Sequence, residues 1–395
     1  MPIGTPFHSR TSALCISQNW RNWSGYFAAS SYEVLHEYEY HAIRNSAALI
    51  DISPLFKYEI RGKDALKFVN RVITRDAAKC AVHQVIYTCW CDEEGKVIQD
   101  GTLFRLEENH FRIHLADPSL RWFQINATGM DVEIRDVSEK VAAVALQGPT
   151  SRHILQQVSD ADMERLKFFR LTPGDIGEIP AMISRTGYTG DLGYEIWAPS
   201  THAEQLWDKL MEGGKPYGIT PTGMLALDMA RLEAGFILIE VDYTSAEKAL
   251  IPSQKYSPFE IGLGWTVSFD KGNFIGRKSL LEEKTRGSPR QMVGLEIEWN
   301  DFERLYHEIG LAPQVPSAAW RGGVPVYKNG RQVGRATTGC WSPTLKKYVA
   351  LATVNSDYSN PGSSLGMEVT VEHERKKVKA NVVKLPFFNP ERKRA

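Results

Sequence analysis

Tyr87-Thr-Cys-Trp-Cys-Asp92-Glu-Glu-Gly95-Lys-Val97-Ile-Gln-Asp100-Gly-Thr-Leu-Phe-Arg-Leu106-Glu-Glu-Asn109-His-Phe-Arg-Ile-His-Leu-Ala116 is the stretch from which the fold class follows. Asp92-Glu-Glu-Gly95 and Glu107-Glu-Asn109 are turn-forming breaks that divide it into three β-rich runs. An antiparallel meander is the expectation. In the central run a period of two puts Ile98, Asp100, Thr102, Phe104 and Leu106 on one face. That leaves a carboxylate on the more apolar side of a strand, where an unpaired charge is costly or takes up a proton. Two readings stay open. Asp100 has a structural partner, cationic or hydrogen-bonding, or it faces a cavity whose ligand needs an acid.

Upstream, Tyr32, Leu35 and Tyr40 mixed with charges predict a helix over Ser31–Asn45, followed by a strand near Lys57–Ile60 and a helix from Lys63 to Ile73. Downstream, Ser200 is placed to cap a helix whose Leu206, Trp207, Leu210 and Met211 form an apolar stripe ending at Gly213. Thr220-Pro221 opens another, which stops at Gly235. Thr285-Arg-Gly-Ser-Pro289 reads as a linker. Beyond it come short strands, among them Val324–Tyr327 and Gln332–Ala336, joined through Asn329-Gly330, a strong hairpin signal because both residues tolerate positive φ. Helices and antiparallel strands in separate runs make the class α+β, with a small C-terminal β domain.

Composition narrows the function. A chain of 395 residues predicts two or three domains. Its 47 Lys plus Arg balance 47 Asp plus Glu, so a nucleic-acid partner is not expected. No window approaches ~18 uninterrupted apolar residues, which predicts a cytoplasmic protein without a membrane partner. Five scattered cysteines fit reduced thiols.

Other patterns carry competing readings. Thr186-Gly187-Tyr188-Thr189-Gly190-Asp191-Leu192-Gly193-Tyr194-Glu195-Ile196 allows close backbone approach to a flat ligand. Its glycine spacing is not that of a dinucleotide loop, and a plain hairpin explains it equally. His36 and His41 lie five apart, not the four a helical zinc pair requires. Cys80, His83, Cys89 and Cys91 read as buried small hydrophobes and a neighbouring histidine, so no metal is expected. Arg231-Leu-Glu-Ala-Gly235 reads as an exposed arginine and a glycine helix cap.

Taken in order, seven segments resemble the aminomethyltransferase family, the T protein of the glycine cleavage system. They are His41-Ala-Ile-Arg-Asn-Ser-Ala-Ala-Leu-Ile-Asp-Ile-Ser53, Val97-Ile-Gln-Asp100, Leu146-Gln-Gly-Pro149, Gly187–Ile196, Arg231–Gly235, Phe274-Ile-Gly-Arg277 and Gly339-Cys-Trp-Ser-Pro-Thr-Leu345. The resemblance implies a three-domain cloverleaf around a central tetrahydrofolate channel. It implies a discontinuous folate-binding domain (1–52 plus 138–285), a ferredoxin-like domain (53–137) and a C-terminal β-barrel-like domain (286–395). By the same resemblance Asp100 matches the catalytic acid, Tyr87 and Tyr188 match folate-contacting aromatics, and Glu195 matches the pterin-binding glutamate.

The departures from the family pattern bear on the donor. Gln99 stands where the family has a second acid. Ala116, followed by Asp117, stands where it has asparagine, and Leu227 stands four residues before Arg231 in place of arginine. The segment Phe236–Tyr256 is roughly ten residues longer than the family norm. Gln99, Asp117, Leu227 and Arg231 are therefore the candidates for the donor side. Glu195-Ile-Trp-Ala-Pro199 and Ser257-Pro-Phe-Glu-Ile-Gly-Leu-Gly264 resemble the folate-dependent O-demethylases of the same superfamily. The expectation is a tetrahydrofolate-dependent one-carbon transferase acting on a small methylated donor. Glycine-cleavage aminomethyl transfer from a lipoylated carrier protein is the alternative. A folate-binding accessory protein of iron–sulfur assembly is the reading from another class. Its Lys-Gly-Cys-Tyr-x-Gly-Gln-Glu motif is replaced here by Glu233-Ala-Gly-Phe-Ile-Leu-Ile-Glu240.

Overall fold

In a computed structural model that describes residues 1–395, the meander forms from strands Gln84–Cys91, Val97–Glu107 and His110–Leu115. Gly95 closes the first turn with φ 72°, a left-handed backbone that glycine adopts without a Cβ penalty. Phe56–Arg61 and Glu133–Asp136 extend these strands into a five-stranded antiparallel sheet. Helices Ala65–Val72 and Leu120–Asn126 cover one face, where Phe68, Phe123, Trp90 and Leu103 form a core. The alternation holds for Asp100, Thr102 and Phe104 but not for Ile98. A bulge opposite Trp90 and Cys91 inserts an extra residue, and Ile98 turns to the helix-covered face beside Trp90.

A second, six-stranded sheet runs Leu171–Ile176, Ile179–Ser184, Gly193–Pro199, Val141–Gln147, Ala47–Asp51 and Ile219–Pro221. Ala47–Asp51 pairs with Val141–Gln147, so the meander sheet is an excursion between two neighbouring strands. Helices Ser151–Val158 and Ala203–Gly214 bury Ile154, Leu155, Leu206, Trp207 and Leu210 on its outer face. On the inner face Ile50, Ala143, Ala145 and Trp197 join Val85, Phe104 and Leu106 of the meander sheet and Leu227 of helix Met224–Glu233. One apolar cluster therefore bridges the two sheets.

The C-terminal strands Arg290–Ile297, Val324–Lys328, Arg331–Ser342, Lys347–Asn355, Ser364–Val371 and Glu374–Val383 close into a barrel. Its hairpin turns at Asn329 (φ 50°) and Gly330 (φ 80°), as the Asn-Gly pair predicts. Three helix starts lie elsewhere than expected. The first helix begins at Glu37, because Tyr32–Leu35 form bends and His36 a turn. Ser200 opens a 3-10 turn and makes no side-chain cap, and the α-helix starts at Ala203. Thr220-Pro221 belongs to a short strand parallel to Ala47–Asp51, so the next helix waits until Met224. No helix is long and apolar enough to cross a membrane.

Candidate active site

Asp100 lies across from Cys89 on the face of the meander sheet that meets the six-stranded sheet. Tyr87, two residues from Cys89 and on the same face, donates its hydroxyl to Asp100 Oδ2 at 2.6 Å. Oδ1 accepts the hydroxyl of Tyr243. Two phenols, rather than a cation, are the partners the strand pattern demanded. Burial raises the Asp100 pKa, and the hydrogen bonds from Tyr243 and Tyr87 oppose that rise. Burial and the adjoining carboxylate hold both phenols well above their ordinary value, so they remain donors.

The glycine-bearing turn is built around Gln147 of the Leu146-Gln-Gly-Pro149 segment. Gln147 Nε2 donates to the carbonyls of Thr186 (3.2 Å) and Tyr194 (3.1 Å), and Oε1 accepts from Thr189 Oγ1 at 2.8 Å. A Cβ at Gly187 or Gly193 would overlap that amide. The turn holds Tyr188 with its ring stacked on Phe236, centroids 5.6 Å apart, and its hydroxyl donating to the Ile237 carbonyl. Burial raises the Tyr188 phenol chiefly, with Arg231 lowering it and Asp100 adding to the rise, so it lies within electrostatic reach of the acid.

Glu195 follows at the start of strand Gly193–Pro199. Its Oε2 accepts from Thr186 Oγ1 at 2.6 Å, and Oε1 has no partner. Burial pushes its pKa up to about 7 against the Thr186 bond. Thr186 Oγ1 is 2.7 Å from Ser184 Oγ, which accepts from Trp197 Nε1 at 3.3 Å. Trp197 stacks on His114 of the meander sheet with centroids 3.9 Å apart, so the strand bearing Glu195 is keyed to the sheet bearing Asp100. Asp100, Tyr87, Tyr188 and Glu195 are all half-buried while burial dominates their titration. Groups lining an interior recess behave in this way.

The remaining candidates are placed differently. Gln99 points to the opposite face from Asp100 and spends its amide on Asp117, donating to its carbonyl at 2.8 Å and accepting from its N–H at 3.0 Å. Asp117 pairs with Lys248 on the lengthened segment. Leu227 is buried in the cluster between the sheets. Arg231 corrects the reading of an exposed arginine, because it is fully buried and paired with Asp242 at 2.6 Å. The glycine cap beyond it is present, with Gly235 at φ 68°, its N–H on the Leu232 carbonyl and the Phe236 N–H on the Arg231 carbonyl. Sequence reasoning missed Tyr243 altogether. Val241-Asp-Tyr-Thr244 carries no motif, and the only available signal was its place in the lengthened segment.

Residues 6–271 match the GCVT N-terminal domain family, and residues 290–389 match the glycine cleavage T-protein C-terminal barrel domain. The chain belongs to the glycine cleavage T-protein family. It is similar to the aminomethyltransferase of Caldanaerobacter subterraneus subsp. tengcongensis, 36% identical over 355 residues that cover 89% of this chain and 87% of that one. It is also similar to the Bacillus subtilis aminomethyltransferase, at 35% identity over 356 residues covering 89% and 90%. The crystal structure of the glycine cleavage system aminomethyltransferase T from Bartonella henselae superposes with a TM-score of 0.83 over 98% of this chain and 99% of that one. At 24% identity that likeness speaks for the fold, the α+β cloverleaf with its C-terminal barrel. As a member of this family the chain is a one-carbon transferase that uses tetrahydrofolate.

Proposed function

We propose that the recess between the sheets is where an aminomethyl-level carbon passes to tetrahydrofolate, with Asp100 as the acid at the reacting atoms. One observation carries the reading. Asp100 is a half-buried carboxylate on an apolar strand face whose only side-chain partners are phenols. No cation faces such a group, so in its ionised form it can stabilise a cationic donor, and with its pKa raised by burial it can also manage a proton at the leaving group.

The other residues fit the cofactor. Glu195 offers an acceptor, Oε1, without a protein partner, and carboxylate is the group that takes two parallel hydrogen bonds from an amidine-like edge. Tyr87 and Tyr188 supply aromatic surface for a flat ring. Bound tetrahydrofolate supplies the nitrogen that accepts the carbon. Around it, Tyr87 fixes one Asp100 oxygen, Glu195 sets the ring's edge, and the packed cluster between the sheets keeps water out.

The donor follows from the relatives. Both bear the name aminomethyltransferase at more than a third identity, which supports the aminomethylated lipoyl arm of a carrier protein over the small methylated donor. The latter stands as a second reading on one observation, that Leu227 and Ala116, where hydrogen-bonding groups were expected, lie in or against the apolar clusters beside the site. The experiment supplies tetrahydrofolate with either the aminomethylated carrier or a panel of methyl ethers, methylamines and sulfonium compounds. Methylenetetrahydrofolate and ammonia from the carrier support the first reading. Methyltetrahydrofolate from a small donor, with an inert carrier, replaces it with the second.

A further inference from the structure

We propose that Tyr243 is a positioning residue for Asp100, and that Asp242 anchors it so that the segment Phe236–Tyr256 governs the reacting carboxylate. The proposal rests on the role of Asp100 argued above. Asp242 is wholly buried, and its two oxygens collect donors from three parts of the chain. Arg231 of helix Met224–Glu233 donates at 2.6 Å, the Leu238 N–H at 2.9 Å, and Thr337 and Thr338 of barrel strand Arg331–Ser342 at 2.6 and 2.8 Å. The next residue, Tyr243, is thereby tied to the helix and to the barrel before its side chain enters the recess.

That side chain belongs to the apolar cluster that includes Cys89, Cys91, Ile237 and Tyr256, and its hydroxyl donates to Asp100 Oδ1. With Tyr87 on Oδ2 and Tyr243 on Oδ1, each oxygen has one donor, which fixes the plane of the carboxylate. The titratable groups facing Asp100 are Tyr87 and Cys89 from the neighbouring strand, Tyr188 from the glycine turn, and Asp242 and Tyr243 from the lengthened segment. None of them is a cation. The phenol donor on Oδ1 is therefore the largest of the contacts that oppose the effect of burial on the acid.

Tyr243→Phe deletes the hydroxyl and keeps the ring. Thr337→Val removes a donor from the Asp242 anchor and leaves every charge near Asp100 in place. The experiment measures the pH dependence of kcat/KM and, in the ligand-free protein, the infrared carboxylate band of Asp100, assigned by difference against Asp100→Asn. Loss of a donor to the ionised form raises the acid's pKa. The acid limb and the infrared titration should both move to higher pH in Tyr243→Phe, by about one unit. Turnover at pH 7 should fall at least tenfold, with the tetrahydrofolate KM held within about twofold. Thr337→Val should shift both curves in the same direction. An infrared titration unmoved in Tyr243→Phe overturns the proposal. Full activity in Asp100→Asn overturns the reading of the site instead, whatever the infrared curve of Tyr243→Phe shows.

Discussion

Arg231 and Asp242 form an ion pair of 2.6 Å in which neither side chain retains any accessible surface. The arginine also donates to the Phe236 carbonyl at 3.1 Å and to Thr338 Oγ1 at 3.0 Å, so one guanidinium joins the helix end, the lengthened segment and the barrel. Removing one partner leaves an uncompensated buried charge. Arg231→Met should therefore cost about 3–5 kcal/mol of unfolding free energy. The double variant Arg231→Met/Asp242→Leu should recover part of that loss. A denaturant melt measures both, and a single variant within the error of wild type would show the pair to be energetically idle.

Asp100→Asn should abolish turnover while tetrahydrofolate still binds within roughly tenfold of wild type. The amide keeps the shape and can still accept from one phenol, so lost activity reports charge or proton handling. Retention of more than about a tenth of wild-type kcat, a change of only ~1.4 kcal/mol, would remove Asp100 from the chemistry.

Glu195 gives a pH dependence with a defined sign. Its folded pKa, about 7, lies above the ordinary 4.5, so the folded state holds a proton that the unfolded state has released. Stability should be greatest below the lower value and fall as pH climbs to the upper, by on the order of 2–3 kcal/mol at most. Tetrahydrofolate affinity should move the other way, rising toward pH 7 as the carboxylate ionises and becomes the better acceptor. Glu195→Gln should flatten both curves, and Glu195→Ala should weaken binding by about 1.5–3 kcal/mol. Calorimetry and thermal melts across pH 5–8 decide the matter, and an unchanged affinity in Glu195→Ala would make the residue purely structural.

Gln147 and Gly193 should couple. Gly193→Ala drives a methyl into the Gln147 amide, displacing the group that holds the Thr186 and Tyr194 carbonyls. A destabilisation of about 1–3 kcal/mol is expected, with weaker tetrahydrofolate binding because Glu195 sits two residues on. Gln147→Ala removes the obstacle as well as the bonds. The double variant should then be more stable than the two single losses added together, and strict additivity in the melts would argue against the contact.

The local features of this chain were legible in its residues alone. Gly95 closes the first meander turn, Asn329-Gly330 turns the barrel hairpin, and Gly235 caps its helix, each because a few φ/ψ angles decide the conformation. The alternation that put Asp100 beside Thr102 and Phe104, and the need of that acid for a partner, were equally local. The tertiary structure alone decided the identity of the partners. Asp242 reaches Arg231 across 11 positions and Tyr243 reaches Asp100 across 143, and neither pairing leaves a periodic trace. The bulge that turned Ile98 away depends on the register of a neighbouring strand. A buried charge states that it requires compensation, but packing between distant segments chooses what compensates it.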